Sequence, residues 1–233
     1  MSAGQSIAAG RGRSAEGPTG DTLNRQIAYR RMQQLLLSGE IEPGQNLAQR
    51  DLVSLLGISL GALRELLPRL EAEGLLAILP QRGIQITAVD LRMIRESYQI
   101  RIAYEREATI HAVAHVPDEP LHHQRQLHTT LFDRAGVAIT GKLLDEAQKV
   151  DSDFHDFLIG TTSNESLIQA YSINAIRVRM IQIDRIRLNP VVLAPALADH
   201  IEIIDAILAR DRIAAISAIE NHITNARNRA VSF

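Results

Sequence analysis

The sequence predicts a mainly α-helical protein, with an N-terminal winged helix-turn-helix followed by a C-terminal all-helical bundle. Residues 42–87 hold two short apolar-periodic segments that meet at Gly57-Ile58-Ser59, then two β-prone runs around a tip that contains Gly83. After Val89, five or six amphipathic segments follow without lasting strand-like alternation. Aromatic residues make up only 3% of the chain, so the core has to consist of Leu, Ile, Val and Ala.

Three regions are predicted: a mobile N-terminal arm at 1–20, the winged domain at 21–88 and the bundle at 89–233. The arm is rich in Gly, Ser and Ala and has little to bury. Gly57 can end one helix in a left-handed conformation, and Ser59 can cap the next. The predicted winged-domain elements are a helix from Asp21 or Thr22 to Ser38 with Leu23, Ile27, Leu35 and Leu36 as its stripe, helices at 49–56 and 59–73, and strands at 76–79 and 84–87.

Composition narrows the class of protein. The chain has no cysteine, which excludes disulfides and thiolate metal sites and is consistent with the reducing cytoplasm. The sequence contains no run of about 18 apolar residues, so no membrane span is predicted. The net charge is −2, and the first 88 residues carry nine Arg against eight acidic residues. Any DNA affinity must therefore come from a few arginines placed on one face.

The order and spacing of these motifs resemble the GntR family of bacterial transcription regulators, FadR branch, with a C-terminal FCD effector domain. The N-terminal resemblance is carried by Pro43-Gly44, Leu52, Leu56-Gly57-Ile58-Ser59, Leu63-Arg64-Glu65, Leu67, Arg69-Leu70, Glu73-Gly74-Leu75 and Gly83. The C-terminal resemblance is carried by Asp151-x-x-Phe154-His155, His200 and His222. The short helix count is similar to the VanR-type subgroup. The resemblance implies a DNA-binding regulator that is not an enzyme.

One departure lies at the start of the recognition helix. The family usually reads Ser-Arg-Thr-Pro-Val-Arg-Glu, whereas this chain has Leu60 and Gly61 after Ser59. Leu60 can contact a thymine methyl group, and Gly61 can let the helix approach the DNA closely. The DNA-binding positions implied by the resemblance are Arg50, Ser59, Leu60, Gly61, Arg64, Arg82 and Gly83. The alternative for Arg64 is an ion pair with Glu65 or Asp51, and for Arg69 a structural ion pair.

Four polar side chains are candidate metal ligands. Asp151 and His155 are four residues apart, so a helix presents both on one face. His200 and His222 each lie in or beside an isoleucine-rich stripe of a later helix. A single histidine of this kind is more often a satisfied core residue, but the resemblance implies that all four converge. Three imidazoles and a carboxylate suit a divalent ion, with Zn²⁺ favoured and Ni²⁺ as an alternative.

The candidate effector residues are Arg101, Asn174 and Arg177. The resemblance implies that Arg101 holds the carboxylate of a small organic acid, while an i, i+4 ion pair with Glu105 is the competing interpretation. Asn174 is in phase with an apolar face, so it must be paired if buried. His111 and His115 are weaker metal candidates, and His122 and His123 are expected at the surface.

The functional prediction is a homodimeric repressor that binds a palindromic double-stranded operator and senses an organic acid at a metal site. The first alternative is a metal-dependent hydrolase, because three histidines and an aspartate with open positions can activate water. The second is a metal sensor or co-regulator whose DNA binding is weakened by Leu60 and Gly61.

Overall fold

The computed structural model describes residues 20–185 and 188–232, which form a small three-helix domain with a β-sheet and a larger helical bundle. Residues 1–19 of the predicted arm lie outside the described residues. The elements in chain order are α1 (Gly20–Ser38), β1 (Asn46–Leu47), α2 (Gln49–Leu56), α3 (Leu60–Ala72), β2 (Leu76–Leu79), β3 (Gly83–Ile86), α4 (Leu91–His115), α5 (Asp118–Val137), α6 (Gly141–Thr161), α7 (Glu165–Arg185), α8 (Pro190–Leu208) and α9 (Arg212–Val231).

The helix-turn-helix consists of α2 and α3. Gly57 ends α2 with φ +66°, and its N–H donates to the carbonyl of Val53. Ser59 then caps α3, accepting a hydrogen bond of 3.2 Å from the backbone N–H of Ala62. The buried face of α3 consists of Leu63, Leu66, Leu67 and Leu70. These local signals confirm the predicted turn, because a left-handed glycine and an N-cap serine define both helix ends.

The wing is a three-stranded antiparallel sheet in the order β1-β3-β2. The strands β2 and β3 were predicted, although β3 begins one residue earlier than expected. The strand β1 was missed because a two-residue strand carries no alternation pattern. Gly83 has φ +88°, and a Cβ atom there would lie 2.7 Å from the carbonyl oxygen of Leu47 on β1. Gly83 therefore lets β3 pair closely with β1.

The first helix differs from its prediction in two ways. It begins at Gly20, so Asp21 and Thr22 lie inside the helix rather than capping it. Ile27 was predicted in the apolar stripe, but the residue is 56% exposed. The buried residues of α1 are Ala28, Met32, Leu35 and Leu36. Leu35 and Leu36 are thus buried as predicted, whereas the side chain of Leu23 lies outside the described residues.

The bundle contains the predicted series of helices after Val89, with α4 at its centre. The helix α4 packs against α6, α7, α8 and α9. A break was predicted across Pro190–Pro195, but α8 begins at Pro190 and includes Pro195. The side chain of Asn189 caps α8, and proline at the first helical position needs no N–H partner.

The winged domain and the bundle form a continuous hydrophobic core. Only residues 87–90 separate β3 from α4, and Asp90 caps α4 by accepting a 2.7 Å hydrogen bond from the N–H of Met93. One cluster of buried side chains extends from α1 and β3 into α4 and α7. No helix among the described residues is long and apolar enough to cross a membrane.

Candidate metal site and DNA-binding surface

Asp151, His155, His200 and His222 converge in the interior of the bundle. One ligand atom from each of them lies within 4.8 Å of the others. Asp151 and His155 occupy one face of α6, while α8 and α9 supply His200 and His222. All four residues are buried. The bundle thus brings together four groups that are typical zinc ligands, and the cluster could hold a metal ion.

The spacing of the ligand atoms suits a divalent ion. The Nε2 atoms of His200 and His222 are 3.1 Å apart, and the Oδ1 atom of Asp151 is 3.6 Å from Nε2 of His200. Two nitrogens bound tetrahedrally at 2.0–2.1 Å from zinc lie about 3.3 Å apart. Among the described residues, Nε2 of His155 is buried and has no hydrogen-bond partner. A metal ion at the centre would satisfy that nitrogen.

Carboxylates outside the cluster orient two of the imidazoles. The Oε2 atom of Glu105 is 2.7 Å from Nδ1 of His155, although the angle is poor for a hydrogen bond. The Oδ2 atom of Asp199 is 3.4 Å from Nδ1 of His222. A carboxylate beside Nδ1 favours the tautomer that leaves Nε2 free to coordinate a metal. Sequence reasoning missed both roles, because Glu105 and Asp199 meet the histidines only through tertiary packing.

Burial keeps the imidazoles of His200 and His222 neutral. Desolvation lowers the pKa of His200 well below its ordinary value, and the neighbouring His222 lowers it further. Desolvation also lowers the pKa of His222, against a raising effect of Asp199. Neutral imidazole is the form that binds metals, so these two ligands are in the required protonation state near neutral pH.

A buried ion pair adjoins the cluster. The Nε atom of Arg101 donates a 2.6 Å hydrogen bond to Glu105, and both residues are almost fully buried. The hydroxyl of Tyr171 donates a 3.2 Å hydrogen bond to the same carboxylate. Burial raises the pKa of Glu105, but the charge of Arg101 outweighs burial and holds that pKa at about 2. Glu105 therefore stays ionised.

Arg101 also faces a small cavity, here called the inner chamber. Its volume is about 20 Å³, and its walls include Asp151, His155 and Tyr171. The terminal N–H groups of Arg101 have no hydrogen-bond partner among the described residues. The predicted ion pair of Arg101 with Glu105 is thus confirmed, and Arg101 also lines the chamber, while its role in effector binding stays a prediction.

The other two predicted effector residues lie outside the inner chamber. Asn174 is buried, and its Nδ2 donates a 2.9 Å hydrogen bond to the carbonyl of Ser97, which ties α7 to α4. Arg177 lies at the junction between the domains, 3.7 Å from Glu96 and about 4.0 Å from the Cβ position of Gly74. The chamber is lined instead by Arg179 and Gln182 of α7. A role of Asn174 or Arg177 in effector binding stays a prediction.

The predicted arginines of the winged domain are exposed. Arg50, Arg64 and Arg82 are all exposed, on α2, α3 and the tip of the wing. Arg64 pairs with neither Glu65 nor Asp51: Glu65 is 3.1 Å from Arg25, and Asp51 is 3.5 Å from Arg50. The alternative interpretation of Arg64 as an ion-paired residue is therefore wrong within the described part of the chain.

The remaining DNA-binding candidates divide by role. Leu60 is 42% exposed and Gly61 is exposed, so both can face a groove. Ser59 and Gly83 have structural roles already, as helix cap and as the point where β3 meets β1. Arg69 is in the predicted structural ion pair, 2.9 Å from Glu73 and stacked 3.7 Å above the ring of Tyr29.

The other histidines divide into surface and core. His111 and His115 have ring centroids 4.6 Å apart, and they are outside the buried cluster. His122 and His123 are exposed, as predicted. His128 was missed by sequence reasoning: it is buried, 5.0 Å from the ring of His200, and its Nδ1 is 2.7 Å from the carbonyl of Gln124. No pattern in the sequence pointed to His128.

Comparison with known proteins identifies the two halves of the chain. The FCD domain profile matches residues 96–225, which is more than half of the sequence. The chain belongs to the FCD family. Residues 24–86 match the profile of bacterial regulatory proteins of the gntR family. This FCD protein is therefore a DNA-binding transcription regulator of GntR type and not an enzyme, and the hydrolase alternative is set aside.

Individual relatives agree with the family assignment. The chain is 26% identical over 204 residues to the HTH-type transcriptional repressor RspR of Escherichia coli K12, covering 86% of each chain. The solved structure of E. coli McbR/YncC has the same fold, with a TM-score of 0.71 and 20% identity over 90% of this chain and 97% of that chain. The metal-free FCD domain of TM0439 gives a TM-score of 0.51 and 20% identity over 62% of this chain and 96% of that chain.

Proposed function

We propose that this FCD protein is a homodimeric repressor that binds a roughly palindromic operator and is released by a small organic acid bound beside a metal ion, with zinc as the favoured metal. The observation that carries the proposal is the buried cluster of Asp151, His155, His200 and His222 next to the free N–H groups of Arg101. A cluster of this kind in a regulator suggests a sensor rather than a catalyst.

The protein's own residues prepare the site for a carboxylate. Glu105 and Asp199 orient His155 and His222, and Arg101 presents positive charge to the inner chamber. A bound divalent ion supplies Lewis-acid attraction for a carboxylate oxygen. Arg101 is already neutralised in part by Glu105, so it contributes hydrogen bonds and orientation more than net charge. An anionic ligand fits this combination better than a neutral one.

The dimer and operator follow from the geometry of helix-turn-helix proteins. A two-fold symmetric dimer places two recognition helices one helical turn of DNA apart, which requires a target with two related half-sites. In this chain α3 would enter the major groove with Leu60, Gly61 and Arg64 at its exposed edge. Repression is the favoured direction because the relative RspR is named a repressor.

The metal is tested by calorimetric titration of chelator-treated protein with Zn²⁺ and Ni²⁺, followed by thermal melting. We expect one ion per chain and a higher melting temperature when the ion is bound, since an ion at 100 times its Kd stabilises the folded state by about 2.7 kcal/mol. His200→Ala should abolish tight binding. The matched control is His122→Ala, which changes an exposed histidine on α5.

Regulation is tested with the zinc-loaded protein on DNA from the region upstream of its own gene. We expect sequence-specific binding of a dimer, and release when a bound organic acid is present. Zinc binding that has no effect on melting, or unchanged DNA binding after acid binds, would contradict the proposal. Zinc binding without any sequence-specific DNA binding would favour the other candidate function.

That second candidate is a metal sensor or co-regulator with weakened DNA binding. It is supported by the exposed Leu60 and Gly61, which offer no side-chain hydrogen bond to a base or phosphate. The double variant Leu60→Arg, Gly61→Thr restores the residue types usual in the family. If this variant binds DNA specifically and the wild-type chain does not, the second candidate is correct.

A further inference from the structure

A second cavity lies where the winged domain meets the bundle, and we call it the outer cleft. Its volume is about 200 Å³. The last turn of α1 contributes Leu37 and Ser38, while α6 and α7 contribute the opposite side. Ser152, Arg179 and Gln182 line both the outer cleft and the inner chamber. These three residues therefore lie between the two spaces.

The separating side chains are weakly held. The Nε2 atom of Gln182 is 3.5 Å from Oδ2 of Asp151, at the limit of a hydrogen bond. Arg179 is 2.7 Å from Oδ2 of Asp156, but both side chains are partly exposed, at 31% and 49%. Exposed pairs of this kind contribute little to stability, so a ligand carboxylate can replace Asp156 as the partner of Arg179.

We propose that the outer cleft is the second half of the effector site and selects dicarboxylates. One carboxylate lies in the inner chamber beside Arg101, and the other pairs with Arg179 in place of Asp156. The chain between them passes the gap that Gln182 now closes and lies against Leu37 and Ser38. This inference rests on the proposed function, in which the inner chamber accepts an organic acid.

The size and lining of the cleft support a short aliphatic diacid. A volume of about 200 Å³ holds about six or seven groups of water size, at about 30 Å³ each. Leu37 and Ile183 offer apolar contacts for methylene groups, and Arg179 is the cationic residue among the described residues of the lining. On the same scale the inner chamber, at about 20 Å³, holds less than one water-sized group, so a carboxylate enters it only when Gln182 moves aside. A carboxylate at each end of a short chain matches this division.

The contact with α1 gives the ligand a direct route to the DNA-binding domain. Leu37 and Ser38 belong to the helix that packs on α2 and α3. A ligand that touches α1 in one arrangement of the domains and loses that contact in another favours the first arrangement by the difference. An acid confined to the inner chamber has no such contact. Diacids should therefore change DNA affinity more than monoacids do.

The test uses the zinc-loaded full-length chain with acetate, hexanoate and adipate. Acetate reports on the inner chamber alone, and hexanoate matches adipate in chain length but lacks the second carboxylate. We expect calorimetry to show adipate binding about tenfold more tightly than hexanoate, the gain typical of one charge-assisted hydrogen bond. Arg179→Gln should remove this difference, and thermal melting of the zinc-loaded variant checks that it is folded.

Two further variants sharpen the result. Asp156→Asn frees Arg179 and should strengthen adipate binding about threefold, as expected for loss of a weak exposed pair. Ser38→Trp should block adipate but leave acetate unchanged. The matched control is Arg125→Gln, which breaks a comparable exposed pair with Asp205 between α5 and α8 and should change nothing.

The outcomes separate this inference from the proposed function. If acetate binds but adipate is no tighter than hexanoate, or if Arg179→Gln preserves the difference, the outer-cleft proposal is wrong and the inner site stands. If none of the three acids binds the zinc-loaded wild-type chain, both proposals fail.

Discussion

Glu105 is the residue whose replacement tests the site most directly. Its carboxylate is fully buried and contacts Arg101 at 2.6 Å, His155 at 2.7 Å and Tyr171 at 3.2 Å. Glu105→Gln keeps the shape but removes the charge, so Arg101 is left buried without its counter-ion. Removing one partner of a buried ion pair costs about 3–5 kcal/mol of unfolding free energy.

That loss should be large enough to measure by melting. For a chain of this size, 1 kcal/mol corresponds to about 2–4 °C, so the melting temperature should fall by about 6–20 °C. The matched control is Glu107→Gln, which removes a carboxylate from an exposed position on the same helix and should change stability by less than about 0.5 kcal/mol. Metal affinity of Glu105→Gln should also fall about 10–100-fold, because His155 loses its orienting carboxylate.

A double variant distinguishes the two effects. Replacing the pair by apolar residues, Arg101→Met with Glu105→Leu, should recover much of the lost stability, since paired apolar replacement is often neutral. Metal affinity should stay low in the double variant because the partner of His155 is still missing. The reasoning is refuted if Glu105→Gln has the same melting temperature as Glu107→Gln. It is also refuted if the zinc affinity of the double variant equals that of the wild-type chain.

Three other predictions concern acid sensitivity, the recognition helix and the wing. In the chelated protein, the lowered pKa values of His128, His200 and His222 mean that the unfolded state takes up protons more readily. Their contribution to the free energy of unfolding is therefore complete above about pH 6.5 and is lost as the pH falls below that value. The loss is up to about 1.4 kcal/mol per pH unit for each histidine, and urea denaturation at pH 7.5, 6.5 and 5.5 measures it. Arg64→Ala should weaken operator binding by about 1–3 kcal/mol and relax sequence preference in a gel shift, whereas Lys149→Ala, on the bundle surface, should not. Gly83→Ala should destabilise the chain more than Gly57→Ala, as read by urea melts, because both residues have positive φ but only the Cβ at 83 meets backbone, 2.7 Å from the oxygen of Leu47; equal losses would contradict the close approach of β3 to β1.

Local signals were sufficient to predict the winged domain. Gly57 and Ser59 define the turn through backbone conformation and capping, which neighbouring residues largely control, and the predicted bounds of α2 matched the structure. The prediction for Ile27 was wrong because an apolar residue of a helix can face either a neighbouring element or solvent, and tertiary packing decides which. The two-residue β1 exists only as a partner of β3 and has no pattern of its own.

The four candidate metal ligands could be predicted from the sequence, but the residues that surround them could not. The four-residue spacing of Asp151 and His155 predicted that both lie on one face of a helix. The resemblance to FCD proteins added His200 and His222. Spacing also gave the pair of Arg101 with Glu105. It could not reveal that Glu105 reaches His155 across from α4 to α6, nor that Arg179 and Gln182 rather than Asn174 and Arg177 face the chamber. Those facts depend on how the helices are rotated against each other.

The helix α7 also bears on how modular this regulator is. One of its faces lines the inner chamber through Tyr171 and Gln182, and it packs against α1 while Arg177 lies beside Gly74. A chimaera that joins residues 20–90 to the effector domain of another regulator would leave the side of α1 that packs on α7 without its partner surface. An exchange of winged domains between regulators of this type therefore requires that the matching surface of α7 be transferred or redesigned as well.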